Sequence, residues 1–78
     1  MAKAIVKMGQ NTETGEYSFF KIVDGIVVAF SAGLSLDDVR KIRRNEMKVR
    51  FTWLKRDIDP EFCGWIDKLY SECYHLPL

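Results

Sequence analysis

The stretch YSFFKIVDGIVVAFSA, Tyr17 to Ala32, decides the fold. Its two halves, Tyr17–Val23 and Ile26–Ala32, are rich in aromatic and β-branched residues and are joined by Asp24-Gly25. A type I′ turn needs positive φ at both central residues, and an Asp-Gly pair supplies this more cheaply than almost any other. The stretch therefore reads as a tight antiparallel hairpin. A two-residue turn fixes the register: Val23 faces Ile26, Ile22 faces Val27, Lys21 faces Val28, Phe20 faces Ala29 and Phe19 faces Phe30. One side then carries Tyr17, Phe19, Val23, Ile26, Val28 and Phe30, and the other Phe20, Ile22, Val27 and Ala29. Both sides are apolar. A hairpin with one wet side alternates more cleanly, so either helices cover both faces or one face meets a partner.

Upstream, Ala2 to Met8 alternates weakly, with Ala4, Val6 and Met8 on one side, and leads into the polar turn Gly9 to Gly15. That turn lacks the lysine and the strand-to-helix setting of a phosphate-binding loop. Downstream, Gly33-Leu34-Ser35 breaks the sheet, and Ser35 with Asp38 resembles a capping box that opens a helix running to about Arg44. Its apolar stripe is Leu36, Val39 and Ile42, its outer side includes Arg40, Lys41 and Arg44, and Asn45 stops it. Glu46 to Lys55 then returns to period two, with Met47, Val49, Phe51 and Trp53 on one side and Lys48, Arg50, Thr52 and Leu54 on the other, which reads as a fourth strand. Asp59-Pro60-Glu61 places an N-cap, a first-turn proline and a first-turn acid ahead of a second helix. The sector holding Trp65, Leu69, Phe62, Cys73, Ile66, Tyr70 and Cys63 must be buried, with Trp65 and Tyr70 expected in the core. Pro77 ends any continuation, and Tyr74 to Leu78 reads as a short tail.

The expected fold class is α+β: a three-stranded antiparallel meander, a helix, a fourth strand and a C-terminal amphipathic helix, in the order β-β-β-α-β-α, with the helices packed on the sheet. The 78 residues form one small domain, residues 1–78. Two packings are open, with both helices on one face or one helix on each.

Composition narrows the class further. An apolar content of 47% suits a packed core, while the length leaves little room for a core and a shaped catalytic pocket together. A binding module rather than an enzyme is expected, with no cofactor. No run approaches the roughly 18 apolar residues of a membrane span, and no signal-peptide pattern follows Met1, so a cytoplasmic protein without a membrane partner is expected. Cys63 and Cys73, ten positions apart on one helix, lie about 15 Å apart, too far to bridge. With His75 they match no zinc spacing, and they read as small buried hydrophobes. Asp37-Asp38 and Asp57-Ile58-Asp59 sit at helix starts and read as caps.

The charge is segregated. Val39 to Arg56 carries eight cations against Glu46 alone, a net +7, while residues 1–38 carry −2 and residues 57–78 carry −4. This reads either as solvated charge partly answered by the acidic flanks or as a surface for an acidic partner. The second reading makes Arg40, Lys41, Arg44, Lys48 and Arg50 the binding candidates. Tyr74, with Leu76 and Leu78, adds an apolar contact surface. The expected function is a small protein-interaction module, a regulator, inhibitor or accessory subunit, with an acidic protein partner and a homodimer as its expected assembly. The alternative is a single-stranded nucleic-acid-binding domain using residues 39–56, with Lys48 and Arg50 on a sheet face near rings such as Phe20. If the first helix packs on the Met47–Trp53 side of the sheet, Arg40, Lys41 and Arg44 face away from Lys48 and Arg50. The basic segment is then expected to form two surfaces rather than one.

Overall fold

The computed structural model describes residues 3–77, so the expected start of the first strand at Ala2 and the tail contact at Leu78 lie outside the described residues. The elements are β1 (Ile5–Gln10), β2 (Tyr17–Val23), β3 (Ile26–Leu34), α1 (Leu36–Arg43), β4 (Thr52–Trp53), α2 (Pro60–Glu72) and β5 (Tyr74–Leu76). They form one antiparallel sheet in the order β4-β3-β2-β1-β5 with two helices, an α+β fold.

The turn and cap signals hold, although β1 runs on through Gly9 to Gln10 and β3 through Gly33 to Leu34, where turn and break were expected. Asp24 and Gly25 take φ of 53° and 77°, the left-handed pair that a type I′ turn requires. Ser35 and Asp38 close a full capping box on α1. Asn45 ends that helix in the left-handed region, with its N–H on the Ile42 carbonyl and the Glu46 N–H on the Lys41 carbonyl, a Schellman arrangement. Asp59 caps α2 by accepting from the Phe62 N–H, with Pro60 in the first turn.

The hairpin register departs from the ideal ladder after two pairs. Val23 faces Ile26 and Ile22 faces Val27, but Lys21 then faces Ala29, Phe20 faces Phe30 and Phe19 faces Ser31. Val28 is left without an opposite residue. This β-bulge inverts the facing of everything beyond it on β3. Phe30 consequently lies on the side of Phe20, not of Phe19 as an unbroken ladder requires. A second shift near Tyr17 brings that residue opposite Leu34, next to Gly33 at φ 75°.

The two apolar faces of the hairpin are both covered, by one helix each. Phe20, Ile22 and Val27 pack with Ile66 of α2 and with Cys73 just past its end, joined by Phe30, Leu54, Leu69 and Tyr70. On the opposite face Met8 and Phe19 pack with Val39 of α1, joined by Val6, Tyr17, Leu34, Ile42, Val49, Phe51 and Leu76. The domain is thus three layers, which fits its thinnest extent of 19 Å, about twice the usual 10 Å spacing between packed layers.

Two expectations are corrected. The fourth strand is not Glu46 to Lys55 but the two residues Thr52–Trp53, paired to Phe30 and Ala29. Residues 46–51 cross the α1 face without joining the sheet, with Val49 and Phe51 turned into the Met8–Phe19 cluster and Lys48 and Arg50 exposed. Alternating hydrophobicity reports an extended segment with one buried side; it does not report whether the backbone is paired. Second, Tyr74–Leu76 is not a tail but an edge strand, β5, laid against Met8–Gln10 of β1. The order is therefore β-β-β-α-β-α-β.

Candidate functional site

The site that the charges build lies on the α1 side of the sheet. Val39 and Ile42 anchor α1 there, which leaves Arg40, Lys41, Arg43 and Arg44 exposed. Val49 and Phe51 anchor the crossing segment in the same cluster, which leaves Lys48 and Arg50 exposed above it. Tyr74 of β5 shares the facing of Leu76, also in that cluster, and is 63% exposed. Arg40, Lys41, Arg44, Lys48, Arg50 and Tyr74 therefore occur on one side of the molecule. The expected division into two basic surfaces is overturned, because Lys48 and Arg50 do not sit on a strand of the opposite sheet face. Nor do they neighbour Phe20, which is fully buried beneath α2.

The crossing segment is held down by Lys21. Its Nζ lies 4.7 Å from the Phe51 ring centroid and 5.0 Å from that of Trp53, two cation–π contacts made from β2 across the intervening strand β3. Lys21 carried no signal of this role in the sequence, since the bulge that brings Lys21 opposite Ala29, and so beside Trp53, is not legible there.

The cations of this face are only partly answered. Lys41 pairs with Asp37 at 3.2 Å and Arg44 with Glu46 at 2.8 Å, both exposed and each worth at most about 1 kcal/mol. Arg43 donates to the Pro77 carbonyl at 3.4 Å, which ties α1 to the end of β5. Arg40, Lys48 and Arg50 have no carboxylate partner among the described residues.

Two shallow grooves open on this face. One, of about 310 Å³, runs between α1 and the β1–β5 edge, with Met8, Tyr17, Leu36 and Leu76 along it and Arg40 and Arg43 at its rim. The other, of about 480 Å³, lies between β3 and the crossing segment, with Leu34, Met47 and Val49 as apolar lining and Lys48 and Arg50 as charged rim. Apolar lining under unpaired cations suits an acidic surface that also carries apolar side chains.

Arg56 does not belong to this face. Its Nη1 and Nη2 donate to the two carboxylate oxygens of Asp67 at 2.8 Å each, and Nη2 also donates to the Val27 carbonyl at 2.7 Å. The fork locks α2 to β3. The hydrogen bonds from Arg56 hold the Asp67 carboxyl below its ordinary range, and Asp67 reciprocally raises the guanidinium. The clamp lies at the edge of the buried side of α2, where Asp67 sits beside Cys63: Cys63 and Ile66 turn inward, Cys73 is buried just past the end of the helix, and the opposite edge faces outward. Trp65, expected in the core, is 69% exposed as a result, while Tyr70 packs edge-on against Phe20 at 5.1 Å.

The α2 side is the counterpart of the basic face. At the start of α2 the exposed Phe62 and Trp65 line a shallow recess with Asp59 and Glu61, and the preceding residues Asp57 and Ile58, the latter 73% exposed, extend the exposed acidic and apolar surface. The sequence hides this patch, because the apolar sector of the helix includes Trp65 and only its docking angle reveals which edge stays wet.

The thiols are internal. Cys63 and Cys73 are free and buried, and burial pushes the Cys73 thiol up. His75 on β5 stacks edge-on against Tyr70 at 4.7 Å. No group of three or more His, Cys, Asp or Glu side chains among the described residues is arranged to hold a metal ion. No helix among them is long and apolar enough to cross a membrane. Compared with known proteins, the chain matches no family model, no curated protein and no solved structure.

Proposed function

We propose that this protein is a small interaction module that engages an acidic protein partner through the α1 side of its sheet, acting as a regulator or accessory subunit rather than as a catalyst. The observation that carries the reading is the packing of α1 and residues 46–51 into one apolar cluster, which gathers Arg40, Arg43, Lys48 and Arg50 above two apolar grooves. Charge of one sign over apolar lining steers an oppositely charged partner and then gives it surface to bury.

A protein partner is favoured over single-stranded nucleic acid by the aromatic groups. A strand-binding platform offers several open ring faces to successive bases. Here Phe51 and Trp53 already share Lys21, and Tyr74 stands apart on the edge strand β5.

The test compares binding of the chain to an acidic peptide rich in Glu and Leu with binding to a single-stranded oligonucleotide of equal charge, at matched salt. The reading predicts tighter binding of the peptide, weakened at least tenfold by Arg44→Glu with Arg50→Glu, since each reversal removes an attraction and adds a repulsion. Tighter binding of the oligonucleotide assigns the face to nucleic acid, and binding of neither removes the reading.

A further inference from the structure

We propose that the acidic, aromatic patch at the start of α2 docks on the basic, grooved face of a second copy of this chain, so that copies associate head to tail. The inference rests on the reading of the basic face as a receptor for an acidic, apolar surface, and it names a partner that carries one.

The two surfaces are complementary in charge and in chemistry. Residues 57–78 carry −4, and at the start of α2 the exposed Phe62 and Trp65 share a recess with Asp59 and Glu61, just after the exposed Asp57 and Ile58. The other surface offers the 480 Å³ groove with Leu34, Met47 and Val49 under Lys48 and Arg50. Trp65 is the natural anchor, being large, apolar and 69% exposed, and large aromatic groups in apolar recesses dominate interface energetics.

Geometry then selects the mode. The patch lies on the α2 layer and the groove on the α1 layer, on opposite faces of one sheet, so no copy satisfies its own patch. A two-fold pairing through either surface sets like charges against each other, which disfavours it. Only the heterologous contact joins unlike charges. Such a contact leaves one free surface at each end and propagates into a ring or a filament.

The test is sedimentation velocity on the full chain at about 20 mM and about 0.5 M salt, because screening weakens contacts between exposed charges. Association at low salt, weakened at least tenfold at high salt, is expected; a monomer under both conditions overturns the proposal. Two variants, altered only at exposed side chains, decide the mode. Trp65→Ser with Glu61→Lys removes the patch, and Lys48→Glu with Arg50→Glu removes the groove rim. Each alone should stay monomeric, and an equimolar mixture should give a one-to-one dimer and nothing larger, since each variant keeps one intact surface. Self-association of either variant alone, or no dimer in the mixture, overturns head-to-tail docking. Binding of poly-L-glutamate separates this failure from that of the underlying reading. The patch variant should bind it at least as tightly as wild type does, and the rim variant at least tenfold more weakly. If the rim variant binds equally well, the basic face itself is misassigned.

Discussion

Lys21 on β2 and Phe51 on the crossing segment meet at 4.7 Å from Nζ to ring centroid, a contact made on the α1 side of the sheet. Trp53 shares the same ammonium at 5.0 Å. With Val49 and Phe51 packed into the cluster beneath α1, this pair helps hold residues 46–51 over the sheet face on which α1 sits, with Lys48 and Arg50 exposed on the same side as the outer residues of that helix.

Removing the ammonium should release the segment. Lys21→Ala is expected to cost about 1–2 kcal/mol, the range for a partly desolvated cation over two rings. Tryptic cleavage after Lys48 and Arg50 should accelerate, while Lys21→Arg, which keeps a cation over the rings, should restore resistance. Cleavage at the wild-type rate in Lys21→Ala would show that the contact does not hold the segment.

Gly9 lets the end of α2 touch the sheet. A Cβ built there stands 2.8 Å from Cys73 Cβ and 3.5 Å from the Phe20 ring. Gly9→Ala is therefore expected to destabilise by about 1–3 kcal/mol through overpacking. Cys73→Ala keeps the offending Cβ and should give no relief, whereas Cys73→Gly removes it. A denaturation cycle over Gly9→Ala and Cys73→Gly should show a compensating coupling of at least about 1 kcal/mol. Strict additivity would place the strain elsewhere.

The clamp between Arg56 and Asp67 makes stability depend on acid. The Asp67 carboxyl is held below its ordinary value of 3.8, so the folded state binds that proton less readily than the unfolded chain does. Its contribution is complete above the ordinary value and fades as pH falls through the depressed one. Because the pair is half exposed, the contribution is about 1 kcal/mol. Asp67→Asn should lose that amount at neutral pH, with the gap from wild type closing below about pH 4. A gap that stays constant down to pH 2 would contradict the assignment.

What the sequence discloses follows from range. Interactions within a few residues, such as the Asp24-Gly25 turn, the Ser35–Asp38 box, the Asn45 stop and the Asp59-Pro60 start, all read correctly because their partners are adjacent. The apolar character of both hairpin faces likewise anticipates cover on each side. Three features depend on distant partners. The Val28 bulge leaves no turn residue to mark it, and it moves Phe30 to the α2 face. β5 is three residues long and gains its pairing only from β1, which precedes it by more than sixty positions. The rotation of α2 depends on which of its side chains fit the distant sheet face, Ile66, Leu69 and Tyr70 against Phe20, Ile22 and Val27, so Trp65 reads as core and yet stands in solvent. The basic candidates themselves were legible as residues, but their gathering on one face was not, because period two in 46–55 is the same for a paired strand and for a segment crossing a helix-bearing face.

The central claim is that the basic residues act as one face. Its most direct test is an amide chemical-shift titration with poly-L-glutamate on the Trp65→Ser, Glu61→Lys variant, which keeps the readout independent of self-association. Shifts confined to α1, residues 45–53, Lys21 and the β5 edge at Tyr74–Leu76, with α2 silent, are expected. Shifts spread equally over the α1 and α2 sides, or no shifts at all, would contradict it.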